Sequence, residues 1–364
     1  MQIKDITNYL ESLAPIGTAE SYDNCGLLVG DFSTEVTQTL LTLDCTEEIV
    51  DEAIEQGCNL IIAHHPIVFG GQKKLNGKNY VERTVIKAIK NDIAIYAIHT
   101  NLDNYRFGVN FEIGKRLGLQ NLTVLSPKKQ QLKKLVVFVP TESKEKVLKA
   151  LFDEGAGNIG NYAHCSFETE GKGGFLPLSG SSPQRGEIGQ REVVKETKVE
   201  VLVEKEKLNS VLNALFSSHP YEEVAYDIIS LENEHNYLGS GMFGELENAV
   251  NTVDFLTTLK KVFNCGIIKH TALCKNEIKT VAFCGGAGSF LLSDAKRKKA
   301  DIFITGDYKY HEFFDAENQL IIADIGHYES EQYTPHLLAR ILKEKFANFA
   351  VRLTGKNTNP IKYF

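Results

Sequence analysis

The chain has 364 residues, 43% of them apolar and 24% charged, with a formal charge of -7 and a pI near 5.9. That length exceeds one typical core and predicts two domains, and the apolar content excludes a disordered chain. No apolar run approaches the roughly 20 residues of a bilayer span and the opening MQIKDITNYL lacks signal-peptide order, so a soluble cytoplasmic protein is expected, while the acidic balance argues against nucleic acid as a partner and leaves room for a small anion.

From Thr37 the pattern is regular. TQTLLTLDCT reads as a strand, EEIVDEAIEQG as a helix ending in glycine, NLIIAHH as a strand, NYVERTVIKAIKND as a helix and IAIYAIHT as a strand. This βαβαβ run predicts a largely parallel sheet with covering helices. The texture then changes: KKLVVFVP, ESKEKVLKALFDEG, AHCSFETE, REVVKETKVEVLVEKE, KLNSVLNALFSSHP and EEVAYDIISL give the order β-α-β-β-α-β of a ferredoxin-like unit. Residues 128–233 are therefore expected to be an inserted α+β domain, with EGKGGFLPLSGSSPQRGEIGQ as a mobile or ligand-ordered loop. The last hundred residues return to the first style, with strands TVAFCGG, DIFITGD and QLIIADIGH alternating with helices SFLLSDAKRKKA, HEFFDAEN and TPHLLARILKEKFA. Residues 1–127 and 234–364 thus read as two similar halves of one α/β domain.

In open parallel sheets, ligands collect beyond the carboxyl ends of the strands. His64 and His65 follow the second strand, His99 and Asp103 follow the third, and Asp324, His327, Glu329 and Glu331 follow the last. His327 and Glu331 share one face if the chain turns helical there. Adjacent strand residues diverge, so His64 and His65 serve one site only if the strand ends at the pair, a break that Pro66 favours. A lone histidine or aspartate at a strand end usually caps a helix or satisfies a loop. Five together, His64, His65, Asp103, His327 and Glu331, point instead to metal, and mixed imidazole and carboxylate donors suit Zn, Fe, Mn or Co.

Five donors exceed the need of one tetrahedral ion, so two divalent ions bridged by Glu331 are expected, with His64 and His65 on different ions. His99 and Asp324 are expected to orient ligands from behind. His164, His219, His235, His270 and His336 lie off this edge and read as structural or surface residues. Seven cysteines without a CxxC pair read as small core residues. FCGGAGS lacks the Lys-Ser/Thr of a phosphate loop and is expected to be a tight turn; Lys309 and His311 either bind an anion, donate a proton or cap a helix.

AESYDNCGLLVGD, IIAHHPIVF, IHTNLDNYRFGVN, FCGGAGSF, DIFITGDYKYHEFFDA and DIGHYESEQ together resemble the dinuclear-metal hexameric family of GTP cyclohydrolase 1 type 2 homologues, also called Nif-three-like proteins. The resemblance spans both halves. It implies that His64, His65, Asp103, His327 and Glu331 hold two metal ions in each subunit, that the chain forms a toroidal homohexamer of two trimers, and that the insert is PII/CutA-like. Tyr22 stands where the family commonly has tryptophan. The family name implies a metal-dependent hydrolase opening the guanine ring of GTP; no catalytic side chain is assigned. The alternative is a non-enzymatic hexamer that senses metal or a regulatory ligand. A phosphoesterase of the aspartate-histidine-histidine type is a weak third reading, because Ala63 precedes the pair.

Overall fold

Leu60–Ala63 is a run of four apolar residues, all fully buried, and it forms the centre of a sheet whose two faces are both covered. The structure, a computed structural model, describes all 364 residues. The chain divides into two units, Met1–Pro127 with Asn236–Phe364, and Lys128–His235, where the sequence suggested 128–233 for the insert. The fold is mixed α/β with three sheets. No helix is long and apolar enough to cross a membrane.

In the first unit, helix α1 (Ile3–Leu13) turns Ile3, Ile6 and Leu10 into the core and leads to strand β1 (Gly26–Val29). Then come β2 (Thr39–Thr42), α2 (Glu47–Glu55), β3 (Leu60–Ala63), α3 (Tyr80–Lys90) and β4 (Ala94–Ala97), matching the expected alternation. Two short helices, α4 (Thr100–Asn104) and α5 (Val109–Arg116), precede β5 (Gln120–Lys128). The second unit contains β6 (Leu132–Pro140), α6 (Lys144–Asp153), β7 (Ser166–Phe175), β8 (Glu192–Glu204), α7 (Leu208–Ser218) and β9 (Tyr226–Ser230). The chain returns through β10 (His235–Asn251), α8 (Thr252–Val262), β11 (Lys269–His270), β12 (Glu277–Ala287), α9 (Leu292–Arg297), β13 (Ile302–Gly306), β14 (Ile321–Asp324), α10 (His327–Glu331), α11 (Thr334–Lys345) and β15 (Val351–Leu353).

The first sheet has the order β1-β4-β3-β2-β15, parallel except for β1. The second has the order β11-β14-β13-β12-β10-β5, and β12, β13 and β14 are parallel. Each half therefore holds three parallel strands whose carboxyl ends carry the polar loops. The third sheet, β7-β8-β6-β9, is antiparallel throughout and belongs to the second unit. One of its faces buries Leu135, Val137, Val199 and Val201 with residues of α6 and α7.

Two expectations are corrected. Residues 170–175 of the supposed loop extend β7, paired with β8 through Gly174↔Val193 and Phe175↔Glu192, because the extended backbone there finds a partner strand. The segment HEFFDAEN folds as a 3-10 turn over Tyr310–Ala316, stopped where Glu317 and Asn318 take left-handed φ values of 50° and 54°.

Candidate metal centre

β3 ends at Ala63, so His64 and His65 lie just past the last ladder pair and are free of strict strand alternation. The His64 ring is 0% exposed and places Nδ1 2.8 Å from the Ile98 carbonyl. A carbonyl only accepts, so Nδ1 carries the hydrogen and Nε2 of the neutral ring is a bare lone pair. That nitrogen lies 3.5 Å from Asp103 Oδ1 and 3.9 Å from Glu331 Oε1. His64 Nε2 and Asp103 Oδ1 are both buried without a hydrogen-bond partner.

His65 is held the same way from another side. Its Nδ1 is 2.7 Å from Asp44 Oδ1, and its Nε2 is 3.0 Å from Glu331 Oε2 and 3.3 Å from His327 Nε2. His327 in turn has Nδ1 2.7 Å from Asp307 Oδ2 and Nε2 3.2 Å from Glu331 Oε2. The i,i+4 spacing of His327 and Glu331 on α10 puts both on one face, as the sequence suggested.

Lone pairs and carboxylate oxygens thus converge on two places. One is bounded by His64, Asp103 and Glu331 Oε1, the other by His65, His327 and Glu331 Oε2. With no cation between them, acceptors face acceptors, and protons must fill the gap. Burial disfavours a second proton on His65, but the carboxylates of Asp44 and Glu331 outweigh it and push the imidazole up to about 10. His327, beside Glu331 and Asp307, overcomes its own burial and rises to about 11. Burial and then the charge of Glu331 push Asp103 up to about 8. Glu331 is held well below the usual carboxylate range because the attraction of His327 and hydrogen bonds from the histidines overcome its burial. A divalent cation at either place would replace those protons, so the donor set fits a metal ion on its own chemistry.

The backbone makes room for this. Gly286 has a φ of 62°, and a Cβ there would lie 2.5 Å from Glu331 Oε1. At Gly306 a Cβ would meet the His327 backbone nitrogen at 2.7 Å. The stretch expected to be a tight turn instead continues β12 to Ala287, with a register shift against β13 between Phe283 and Ala287, and the chain turns only at Gly288. The amides of Gly285, Gly286 and Gly288 donate to Asn110, Ser330 and Thr305, so these donors are spent internally.

All five predicted residues come together at this edge. His99 is placed differently from expectation. It orients none of the other histidines; Asp23 holds its Nδ1 at 2.8 Å, and its ring contributes a nitrogen to a cluster with His64 and His65. Asp324 also departs from expectation. Its carboxylate accepts from the backbone amides of Tyr308 and Gly326 and thus shapes the loop, because its short side chain reaches neighbouring amides before any imidazole. The residues that do hold the rings, Asp44, Asp307 and Asp23, were not singled out. Asp44 and Asp307 follow β2 and β13, so the strand-end rule could have found them; Asp23 lies in an irregular segment with no such signal. The six remaining histidines, His164, His219, His235, His270, His311 and His336, belong to none of the clusters. The Lys309 amide donates to the Glu312 carboxylate at 3.3 Å, starting the 3-10 turn.

Residues 1–360 match the family model Duf34/NIF3 (NGG1p interacting factor 3). The chain is 38% identical over 363 residues to the "GTP cyclohydrolase 1 type 2 homolog" of Halalkalibacterium halodurans, covering 98% of each. It is 37% identical to the protein of the same name from Bacillus subtilis, covering 99% of this chain and 98% of that one. Among solved structures it is similar to a Bacillus cereus protein related to NIF3, with a TM-score of 0.86, 37% identity and coverage of 100% of this chain and 99% of that one.

Proposed function

The chain belongs to the Duf34/NIF3 family, and from that premise we propose that it is a dinuclear metal protein acting as a metal-dependent hydrolase of a nucleotide-like small molecule. The observation that carries this reading is Glu331, whose two oxygens point to two different donor groups, His64 with Asp103 and His65 with His327. A bridging carboxylate flanked by oriented imidazoles is the donor pattern of two-metal hydrolytic sites. Divalent ions held there, Zn, Fe or Mn, would supply Lewis-acid polarisation of the substrate and a lowered water pKa. The chain's own part is positional. Asp44, Asp307 and the Ile98 carbonyl hold the Nδ1 atoms, so each Nε2 is turned inward and would offer its lone pair to a metal ion that displaces any proton it carries. Glu331, 3% exposed, holds negative charge in a place from which bulk water is largely excluded. The name of the relatives from Halalkalibacterium halodurans and Bacillus subtilis supports a guanine nucleotide as the first substrate to try.

The test is a turnover screen of metal-loaded protein against nucleotides, with His65→Ala and Glu331→Ala as controls. Both variants are expected to remain folded by circular dichroism and to lose turnover by at least a hundredfold. Turnover that persists unchanged after the metal is stripped would overturn the reading.

A second reading rests on the second unit. Its strand order β7-β8-β6-β9, with α6 and α7 on one face, supports a ferredoxin-like, PII/CutA-like insert. A cavity of about 790 Å³ lies there, lined among others by Phe138, Phe175, Glu196 and Tyr221, and it is large enough for a small regulatory ligand. On that reading the protein senses a metal or ligand without turnover, and ligands stabilise it thermally through this unit. Under either reading we place the protein in the cytoplasm as a homohexamer of two trimers, which light scattering would test.

A further inference from the structure

Donor atoms make up only part of the pocket at the candidate centre. The pocket has a volume of about 160 Å³, and Asp103, His327 and Glu331 line it together with two aromatic residues, Tyr22 and Phe290. Tyr22 is 64% exposed and Phe290 65% exposed, so neither ring is spent on the core. They come from separate segments, Tyr22 from the loop before β1 and Phe290 from the 3-10 turn Ser289–Leu291 that follows β12. The Tyr22 ring lies 6.2 Å from that of Phe69, which lies 6.3 Å from that of His99, so an aromatic row leads from solvent to the histidines.

The lining also includes Gly285, Gly286 and Ala287, which carry no side chain larger than a methyl group. The volume is below the roughly 300–1,000 Å³ that encloses a whole drug-sized ligand, so the pocket takes one ring system and leaves the rest of a larger molecule outside. The amide side chains in the wall are already engaged. Asn104 donates to the Thr18 carbonyl and Glu20 and accepts from Ser240, and Asn110 donates to the Asp103 carbonyl and accepts from Gly285. Ring recognition there falls to flat contact more than to edge hydrogen bonds, and flat contact tolerates any base because every base has a π-face.

We propose that Tyr22 and Phe290 form a stacking subsite that holds the planar heteroaromatic ring of a nucleobase-bearing substrate against the candidate metal centre. The inference rests on the hydrolase reading for the substrate's presence there, but its test reads binding. Metal-loaded full-length protein is titrated by calorimetry with guanosine 5′-monophosphate, adenosine 5′-monophosphate and ribose 5-phosphate. Both nucleotides are expected to bind at least tenfold more tightly than ribose 5-phosphate and within about fivefold of each other.

Tyr22→Leu and Phe290→Leu, which keep apolar bulk but remove the π-face, are expected to weaken nucleotide binding about five- to a hundredfold each, the range of a lost base stack. Ribose 5-phosphate affinity and metal content should stay unchanged in both variants, and Tyr22→Phe should bind as the parent does. Equal affinity for nucleotide and ribose 5-phosphate, or leucine variants that bind nucleotide as the parent does, would overturn the proposal. Tight, stacking-dependent nucleotide binding without turnover would support the subsite while removing the hydrolase reading, so the two failures are distinguishable.

Discussion

An ionised carboxylate accepts hydrogen bonds and donates none, and this fixes which nitrogen of each imidazole faces its neighbours. Asp307 is held below its usual range by the bond from His327; Asp44 is too, where the bond from His65 outweighs its burial. Both rings therefore turn Nε2 toward Glu331. With His65 raised to about 10 and His327 to about 11, each ring holds a second proton at neutral pH in the metal-free protein. Asp103, raised to about 8, is also mostly protonated there. A metal ion must displace these protons, so loading at pH 7 is expected to release on the order of two protons or more, read by calorimetry in buffers of different ionisation enthalpy. Affinity should fall as pH is lowered; loading without proton release would contradict the assignment. Thr358 adds a finer test, because its hydroxyl donates to Asp44 Oδ2 at 2.6 Å while Oδ1 holds His65. Thr358→Val is expected to weaken metal retention about tenfold on dialysis, the scale of losses at residues behind metal ligands, and Thr358→Ser to restore it. The metal candidates were legible in the sequence because they sit at strand ends. Thr358 and Asp23 were not, since they reach the site from segments without periodicity.

At the scale of elements, the three-strand runs of both halves were readable because their strands are buried on both faces and carry unbroken apolar sequence. The pieces that complete the sheets were not. β1 and β11 join antiparallel at the edges, and β15 is three residues that pair with β2 across more than three hundred positions of chain. No local pattern announces such a partner. What secures β15 is visible only in three dimensions. Glu52 on α2, buried, accepts from the hydroxyl of Thr354 and from the Gly355 amide at 2.8 Å. Glu52→Ala leaves those donors without their acceptor and is expected to cost about 1–3 kcal/mol of unfolding free energy, measured by urea denaturation. An unchanged midpoint would show that the carboxylate does not anchor the strand.

Over the whole molecule, the site exists because the two halves bring donors 266 positions apart, His65 and Glu331, to within 3.0 Å. The first half supplies His64, His65 and Asp103 beyond its parallel strands, and the second supplies His327 and Glu331 beyond its own. Neither half alone holds either donor group, since Glu331 belongs to both. On the dinuclear reading Glu331 bridges two ions, with His64 on one and His65 on the other. The most direct measurement is the anomalous scattering of a crystal of metal-loaded protein. Two peaks about 3.5–4 Å apart are expected, one among His64, Asp103 and Glu331 and one among His65, His327 and Glu331. A single peak bound by both His64 and His65 would contradict it.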